Sequence, residues 1–146
     1  MADAPIPIIA DDREKKIWNL DPARFSVVRK RLTTGDYTIM GLEDRVAIER
    51  KELGDAVNTF IHGWINFRKE LYRLAAMDHA IIIVEANVED ILAHRYESEA
   101  NPMSVMGRAA ECYIDHGVAV LWAGHRPGCI PIVEQHLRLV YSRCKP

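Results

Sequence analysis

The stretch Ala80-Ile81-Ile82-Ile83-Val84-Glu85 leaves this chain less freedom than any other segment. It is too short for an ordinary helix and too rich in β-branched residues, so it reads as a strand buried on both faces. Such a strand needs sheet neighbours at its sides and helices above and below. The rest of the chain supplies them. Pro5 to Ala10 reads as a first strand that delivers Asp11-Asp12-Arg13-Glu14 at its end. Phe25 to Leu32 reads as a second strand carrying Arg29-Lys30-Arg31. Asp36 to Met40 and Arg45 to Lys51 read as a hairpin turned by Gly41-Leu42-Glu43-Asp44, and Val118 to Trp122 as the last strand. Between Glu52 and about Asp78, Leu53, Val57, Phe60, Ile61, Trp64, Leu71, Leu74 and Ala75 recur at helical spacing. A short helical piece follows from Val88, then a polar loop from Arg95 to Asn101. Asn101-Pro102 has the form of a helix cap with proline in the first turn, for a helix ending at His116. Pro127 to Pro131 reads as a turn, with a final helix from Pro131 to about Arg143. This alternation predicts one α/β domain over residues 1–146, a mixed central sheet flanked by helices on both faces.

A chain of 146 residues with 49% hydrophobic and 27% charged content can bury a real core. No apolar run reaches membrane-spanning length, and Met-Ala-Asp-Ala-Pro lacks the basic start and apolar stretch of a secretory signal. Cys112, Cys129 and Cys144 are odd in number and form no Cys-x-x-Cys pair. They argue against a disulfide scaffold or zinc ribbon and for a reducing, intracellular setting.

The chemistry concentrates between Gly35 and Asp55. With Gly41 to Asp44 as the loop, antiparallel pairing sets Tyr37 opposite Ile48, Ile39 opposite Val46 and Asp36 opposite Glu49. Tyr37, Ile39, Val46 and Ile48 then share one face, while Asp36, Glu49 and Lys51 share the other. Two carboxylates placed face to face repel, costing a few tenths of a kcal/mol to about 1 kcal/mol on an exposed sheet. A divalent cation between them reverses that sign. Hard oxygen donors suit Mg²⁺ or Mn²⁺ better than Zn²⁺. Lys51 points to the same side, and Asp55, at the start of the next helix, can offer another oxygen. A metal that polarises a phosphate and a lysine beside the attacking water are the equipment for phosphodiester hydrolysis. The same charges on an exposed hairpin would be ordinary surface residues, and spacing alone leaves both readings open.

At these residues the sequence resembles the nuclease domain of the XPF family of structure-specific endonucleases. Gly35-Asp36 followed by Glu49-Arg50-Lys51-Glu52-Leu53-Gly54-Asp55 carries the family's Gly-Asp and Glu-Arg-Lys-x-x-x-Asp pattern. Asp11-Asp12-Arg13-Glu14 matches its Asp-x-Arg-Glu, and Ile83 to Ala86 and Val118 to Trp122 look like its later core strands. The resemblance implies a restriction-endonuclease-like fold and Mg²⁺- or Mn²⁺-dependent cleavage of DNA at branches, flaps or forks. Asp36 and Glu49 would be metal ligands, joined by Asp11, Asp55 or both. Lys51 would be the catalytic lysine, with Glu14, Arg13 and Arg50 in support and Arg50 facing away from the metal. A tandem helix-hairpin-helix module, usual after this domain in active family members, is not expected within this chain. Family members dimerise through the end of this domain, so a homodimer or heterodimer through the C-terminal helices is expected.

Arg13, Arg29, Lys30 and Arg31 are candidate phosphate contacts, as are Lys15, Lys16, Arg68, Lys69 and Arg73, though for any one of them a solvated helix or strand face is the commoner explanation. The net charge of −2 decides nothing, because acidic ligands would offset basic contacts in a nuclease. The six histidines form no ligand-like pair on a helix face. His125 and Arg126, after the last strand, are further candidates for the site. Ile132, Val133, Leu137, Val140 and Tyr141 offer an apolar side of the final helix for core or interface. The competing reading is a non-catalytic DNA-binding or scaffold subunit, which has no need of opposed carboxylates.

Overall fold

The computed structural model describes residues 3–144; Met1 and Ala2, with which the N-terminal segment begins, and the last two residues lie outside it. The strands are β1 (Ile6–Asp11), β2 (Phe25–Lys30), β3 (Tyr37–Ile39), β4 (Val46–Lys51), β5 (His79–Val84) and β6 (Ala119–Trp122). They form one six-stranded sheet in the order β2-β1-β3-β4-β5-β6. β2 lies parallel to β1, β3 is antiparallel to both its neighbours, and β5 and β6 run parallel to β4.

The connections follow from these directions. A parallel step needs a crossover, and right-handed crossovers progressing in one direction across a sheet stay on one face. The β4-to-β5 link carries α1 (Leu53–Ile61) and α2 (Trp64–Ala75), and the β5-to-β6 link carries α3 (Val88–Leu92) and α4 (Pro102–His116). Their apolar sides, among them Phe60, Leu71, Leu74, Ile91, Val105 and Cys112, meet Ala47, Ile82 and Val84 of the sheet in one core. The opposite face is covered by α5 (Ile130–Cys144) and by the loop bearing Trp18 and Leu20. There Tyr37, Ile39, Val46 and Ile48 are all buried, the shared apolar face expected of the hairpin. Trp18 stacks on Tyr37 with ring centroids 4.3 Å apart, and its backbone N–H donates to the Tyr37 hydroxyl at 3.0 Å.

Asn101 caps α4 as expected: its side chain accepts from the Met103 N–H at 2.8 Å, with Pro102 in the first turn. Gly117 closes that helix in the left-handed conformation. The long helix expected from Glu52 to Asp78 is instead two helices with a break at His62-Gly63. Val57, Phe60, Trp64, Phe67, Leu71 and Leu74 keep a three-four spacing straight through the break, so the apolar pattern conceals it. Glycine is a poor helix residue, and both His62 and Gly63 donate their N–H groups back to the Asn58 carbonyl. Of the apolar side assigned to the final helix, Val133, Leu137 and Val140 are buried, whereas Ile132 turns outward. The cysteines are free and buried. Among the described residues no helix is long and apolar enough to cross a membrane.

Candidate active site

β1 and β4 end, and β3 begins, along one line across the sheet. The observed pair Tyr37 opposite Ile48 places Asp36 opposite Glu49, and the pairing of Ala10 with Tyr37 places Asp11 on the other side of Asp36. Side chains alternate along each strand. Asp11, Asp36 and Glu49 therefore stand in one row on the helical-crossover face. Lys51, two residues beyond Glu49, shares that face.

Each carboxylate sits differently. One Asp36 oxygen accepts the Arg50 backbone N–H at 2.7 Å, and the Asp36 N–H donates to the Ile48 carbonyl at 2.8 Å, which locks the Gly35-Asp36 turn onto β4. Gly35 is required there. Its φ is +74°, and a Cβ would meet Ala47 Cβ at 3.1 Å and the Ile48 carbonyl at 3.2 Å. Glu49 is buried beside Asp36. Burial first, and the Asp36 charge second, push its carboxyl up to about 8, with Lys51 acting in the opposite direction. The Lys51 ammonium lies 3.2 Å from a Glu49 oxygen and 5.4 Å from the centre of the Phe67 ring.

Asp11 is held elsewhere. Its carboxylate accepts from the Arg13 guanidinium at 2.8 and 3.2 Å and from the Leu32 backbone N–H at 2.8 Å, and these bonds keep its proton affinity low despite burial. Arg13 is the counterion of Asp11 in this arrangement.

A cavity of about 420 Å³ opens over Asp36, Glu49 and Lys51, with Arg13 at one side and α2 as its far wall. Asp55 is not part of it. It is exposed in the first turn of α1, where a carboxylate favours the helix end. Asp55→Ala is therefore expected to lower any cleavage rate by less than about tenfold, a change read from single-turnover kinetics.

Arg50 and Glu14 lie on the opposite face, as alternation requires of Arg50. The Arg50 guanidinium is 8% exposed and surrounded by Glu14 at 3.5 Å, Glu52 at 3.1 Å and Glu85 at 2.5 Å, the last without the alignment of a hydrogen bond. Burial, with the Asp36 charge next, raises the Glu14 carboxyl. Arg126 pairs with Glu85 and donates to the Lys16 and Ile17 carbonyls. Glu85 belongs to no motif; a charged residue just beyond the apolar run Ala80 to Val84 is the signal that marks it. His125 lies 2.8 Å from Asp90.

The basic candidates divide in the same way. Arg29 donates to the carbonyls of Asp11, Asp12 and Glu14, so it staples the β1 end. Arg31 pairs with Asp12 at 2.6 Å and Lys16 with Glu52 at 2.9 Å. Lys15, Lys30, Arg68 and Lys69 are exposed. Arg73 does reach the cavity, together with Glu70 and Asn66, neither of which the motif pattern includes. Gly63, Asn66, Glu70 and Arg73 form a polar stripe beside the apolar stripe Trp64, Phe67, Leu71 and Leu74, and that spacing is the available signal.

Mg²⁺ commonly takes one or two protein carboxylates and keeps several waters. Asp36 and Glu49, oxygen donors with no histidine or cysteine beside them, fit that requirement. Among the described residues no group of three or more His, Cys, Asp or Glu side chains converges to hold a metal.

Comparison with known proteins agrees with this architecture. XPF from Aeropyrum pernix superposes with a TM-score of 0.74 at 24% identity, over 94% of this chain and 66% of that one. The same protein in complex with DNA gives a TM-score of 0.69 at 23% identity, again over 94% and 66%. An 81-residue segment, 56% of this chain, is 37% identical to a Methanocaldococcus jannaschii protein described as a putative ATP-dependent RNA helicase, of which it spans 10%. The chain thus spans less than two thirds of each of these relatives. Residues 10–129 match the ERCC4 domain model, a span that holds the whole carboxylate row, Lys51 and the α2 wall, and the chain belongs to the ERCC4 domain family.

Proposed function

We propose that the chain is a Mg²⁺- or Mn²⁺-dependent DNA endonuclease whose centre is Asp36, Glu49 and Lys51. The observation that carries this is the facing pair Asp36 and Glu49, with Lys51 3.2 Å from Glu49, on the wall of an open cavity. A surface hairpin gains nothing by burying one of two opposed carboxylates. A site built to receive a cation does, because the cation removes both the burial cost and the repulsion. Membership of the ERCC4 domain family supports the same reading.

Asp36 and Glu49 would hold the ion, which would supply Lewis-acid polarisation of the phosphate and stabilise developing charge. Lys51 is placed to orient the attacking water and to stabilise negative charge on the phosphate. Its ammonium lies over the Phe67 ring, which limits its freedom. Arg13, fixed by Asp11, presents its remaining surface to the cavity and is suited to a phosphate oxygen. Asp11 acts here by orienting Arg13.

Branched, flap or fork DNA is the proposed substrate. The similar Aeropyrum pernix XPF, found in complex with DNA, supports the nucleic acid, and the motif resemblance supports the branch. Labelled flap, fork, duplex and single-stranded DNA, with a single-stranded RNA control, test it. Preferential cutting of branched DNA supports the proposal, and preferential cutting of RNA rejects it.

A second reading, a DNA-binding subunit without turnover, is favoured by one feature: Asp11 is engaged by Arg13, and among the described residues no third carboxylate converges on the pair. That reading predicts DNA binding indifferent to changes at Glu49.

Association through the C-terminal helix is also proposed. α5 commits Val133, Leu137 and Val140 to its own core and leaves Ile132 and Leu139 exposed. Light scattering at micromolar concentration is expected to give the mass of a dimer that Leu139→Glu shifts to monomer. A monomeric wild type overturns the proposal.

A further inference from the structure

We infer that Glu70 is a positioning residue of the site: it fixes the Gly35-Asp36 turn from across the cavity and aims Arg73 into it. The inference rests on the nuclease reading above. One Glu70 oxygen accepts the Gly35 backbone N–H at 3.0 Å, a bond spanning 35 positions of sequence. Its other oxygen receives the Arg73 guanidinium, whose Nε lies 3.1 Å away. Both residues line the cavity that holds Asp36, Glu49 and Lys51.

Gly35 is in the left-handed region, and β4 crowds the place where a Cβ would stand. Its N–H points at α2, and Glu70 is the group that receives it. Asp36 follows directly and is tied to β4 through the Arg50 N–H. The turn is thus held from the sheet by β4 and by β1, whose Asp11 N–H donates to the Asp36 carbonyl at 2.8 Å, and from above by α2. Without Glu70 only the sheet contacts remain, the Gly35 N–H loses its acceptor, and the Asp36 carboxylate gains freedom relative to Glu49.

The polar arrangement is also directional. Glu70 is 19% exposed and Arg73 50%, so the carboxylate forms the inner wall and the guanidinium the rim. An Arg held by a carboxylate at i−3 loses little further entropy when it meets a phosphate oxygen. Glu70 touches neither the reacting atoms nor the proposed ion. It acts through Asp36 on one side and through Arg73 on the other.

The two connections separate in kinetics. The test uses the full chain with Glu70→Ala, Glu70→Gln and Arg73→Ala, reading single-turnover cleavage of flap DNA, KM, and Mn²⁺ affinity by electron paramagnetic resonance. Glu70→Ala is expected to weaken Mn²⁺ binding and to lower kcat, each by about tenfold or more. Glu70→Gln keeps an oxygen for Gly35 and restores both, while its amide no longer pairs with Arg73, so KM stays raised. Arg73→Ala raises KM more than it lowers kcat. A Glu70→Ala enzyme that cuts and binds Mn²⁺ like the wild type overturns the inference while leaving the nuclease reading intact. So does a Glu70→Gln enzyme as impaired as Glu70→Ala while its melting temperature is unchanged. A wild type that neither cuts nor binds Mn²⁺ removes the reading itself, and this inference with it.

Discussion

Lys51→Ala is expected to lower kcat by about 10²–10⁴-fold with little change in KM, the range for losing a group that acts on the transition state. The side chain is 17% exposed, its ammonium is shared between Glu49 and the Phe67 ring, and it faces the open cavity. Its removal breaks a largely buried ion pair, which costs about 3–5 kcal/mol where the remaining charge stays buried and unpaired. Protonation of Glu49 offsets part of that cost, so a measured loss of stability accompanies the loss of rate. Lys51 also opposes the rise of the Glu49 carboxyl. Without it Glu49 keeps its proton to higher pH, and Mn²⁺ binding in the variant should need more alkaline conditions than in the wild type. Lys51→Arg is not expected to rescue, because a planar fork cannot occupy the point between Glu49 and a phosphate that an ammonium fills. Wild-type kcat in Lys51→Ala would exclude Lys51 from the reaction.

Glu49→Gln is expected to stabilise the metal-free protein while abolishing cleavage. Glu49 holds its proton up to about 8 in the folded chain, against 4.5 for the ordinary carboxyl. A group whose folded pKa is raised contributes stability that is intact below the ordinary value and lost as pH climbs through the folded one. The wild type without metal should therefore lose stability between about pH 4.5 and pH 8. The amide of the variant does not ionise, so Glu49→Gln should be flatter across that window and about 1–3 kcal/mol more stable at its upper end. Added Mg²⁺ at pH 8 should raise the melting temperature of the wild type and leave the variant where it was. Thermal melts at several pH values with and without metal read all of this. A variant less stable than the wild type at pH 8 would show that Glu49 is held by partners that favour its charge.

The site's half that lies on the hairpin was legible because strands have a period of two. Once Tyr37 is set opposite Ile48, the face of Asp36, Glu49 and Lys51 follows, and so does the reversed orientation of Arg50. The mixed sheet with helices on both faces was legible for a similar reason, from β-branched runs such as Ile81 to Val84. The half on α2 was not. Glu70 is one charged residue among Arg68, Lys69 and Arg73, and nothing local distinguishes a carboxylate that bonds Gly35 from one facing solvent. Glu70 also lies on the second of two helices, and the unbroken apolar spacing hides the break at Gly63 between them. Asp55 is the converse case, exposed and outside the cavity. Its place at a helix start was visible, but the rotation of α1 that turns it outward is set by the packing of Val57 and Phe60. Arg29 looked like a phosphate contact because strand alternation gives a side and not a partner, and its partners are carbonyls of the β1 end.

The most direct test of the proposed centre is cleavage of one labelled flap substrate by wild type and Asp36→Asn, titrated with Mn²⁺ and checked in excess chelator. The substituted amide keeps an oxygen for the Arg50 N–H, so the turn should survive while a charged donor is lost. Cutting by the wild type that rises and saturates with Mn²⁺, stops in chelator and is absent in the variant is the predicted result. Cutting that persists in chelator or in Asp36→Asn, or a wild type that stays inactive at every metal concentration, would contradict the proposed centre.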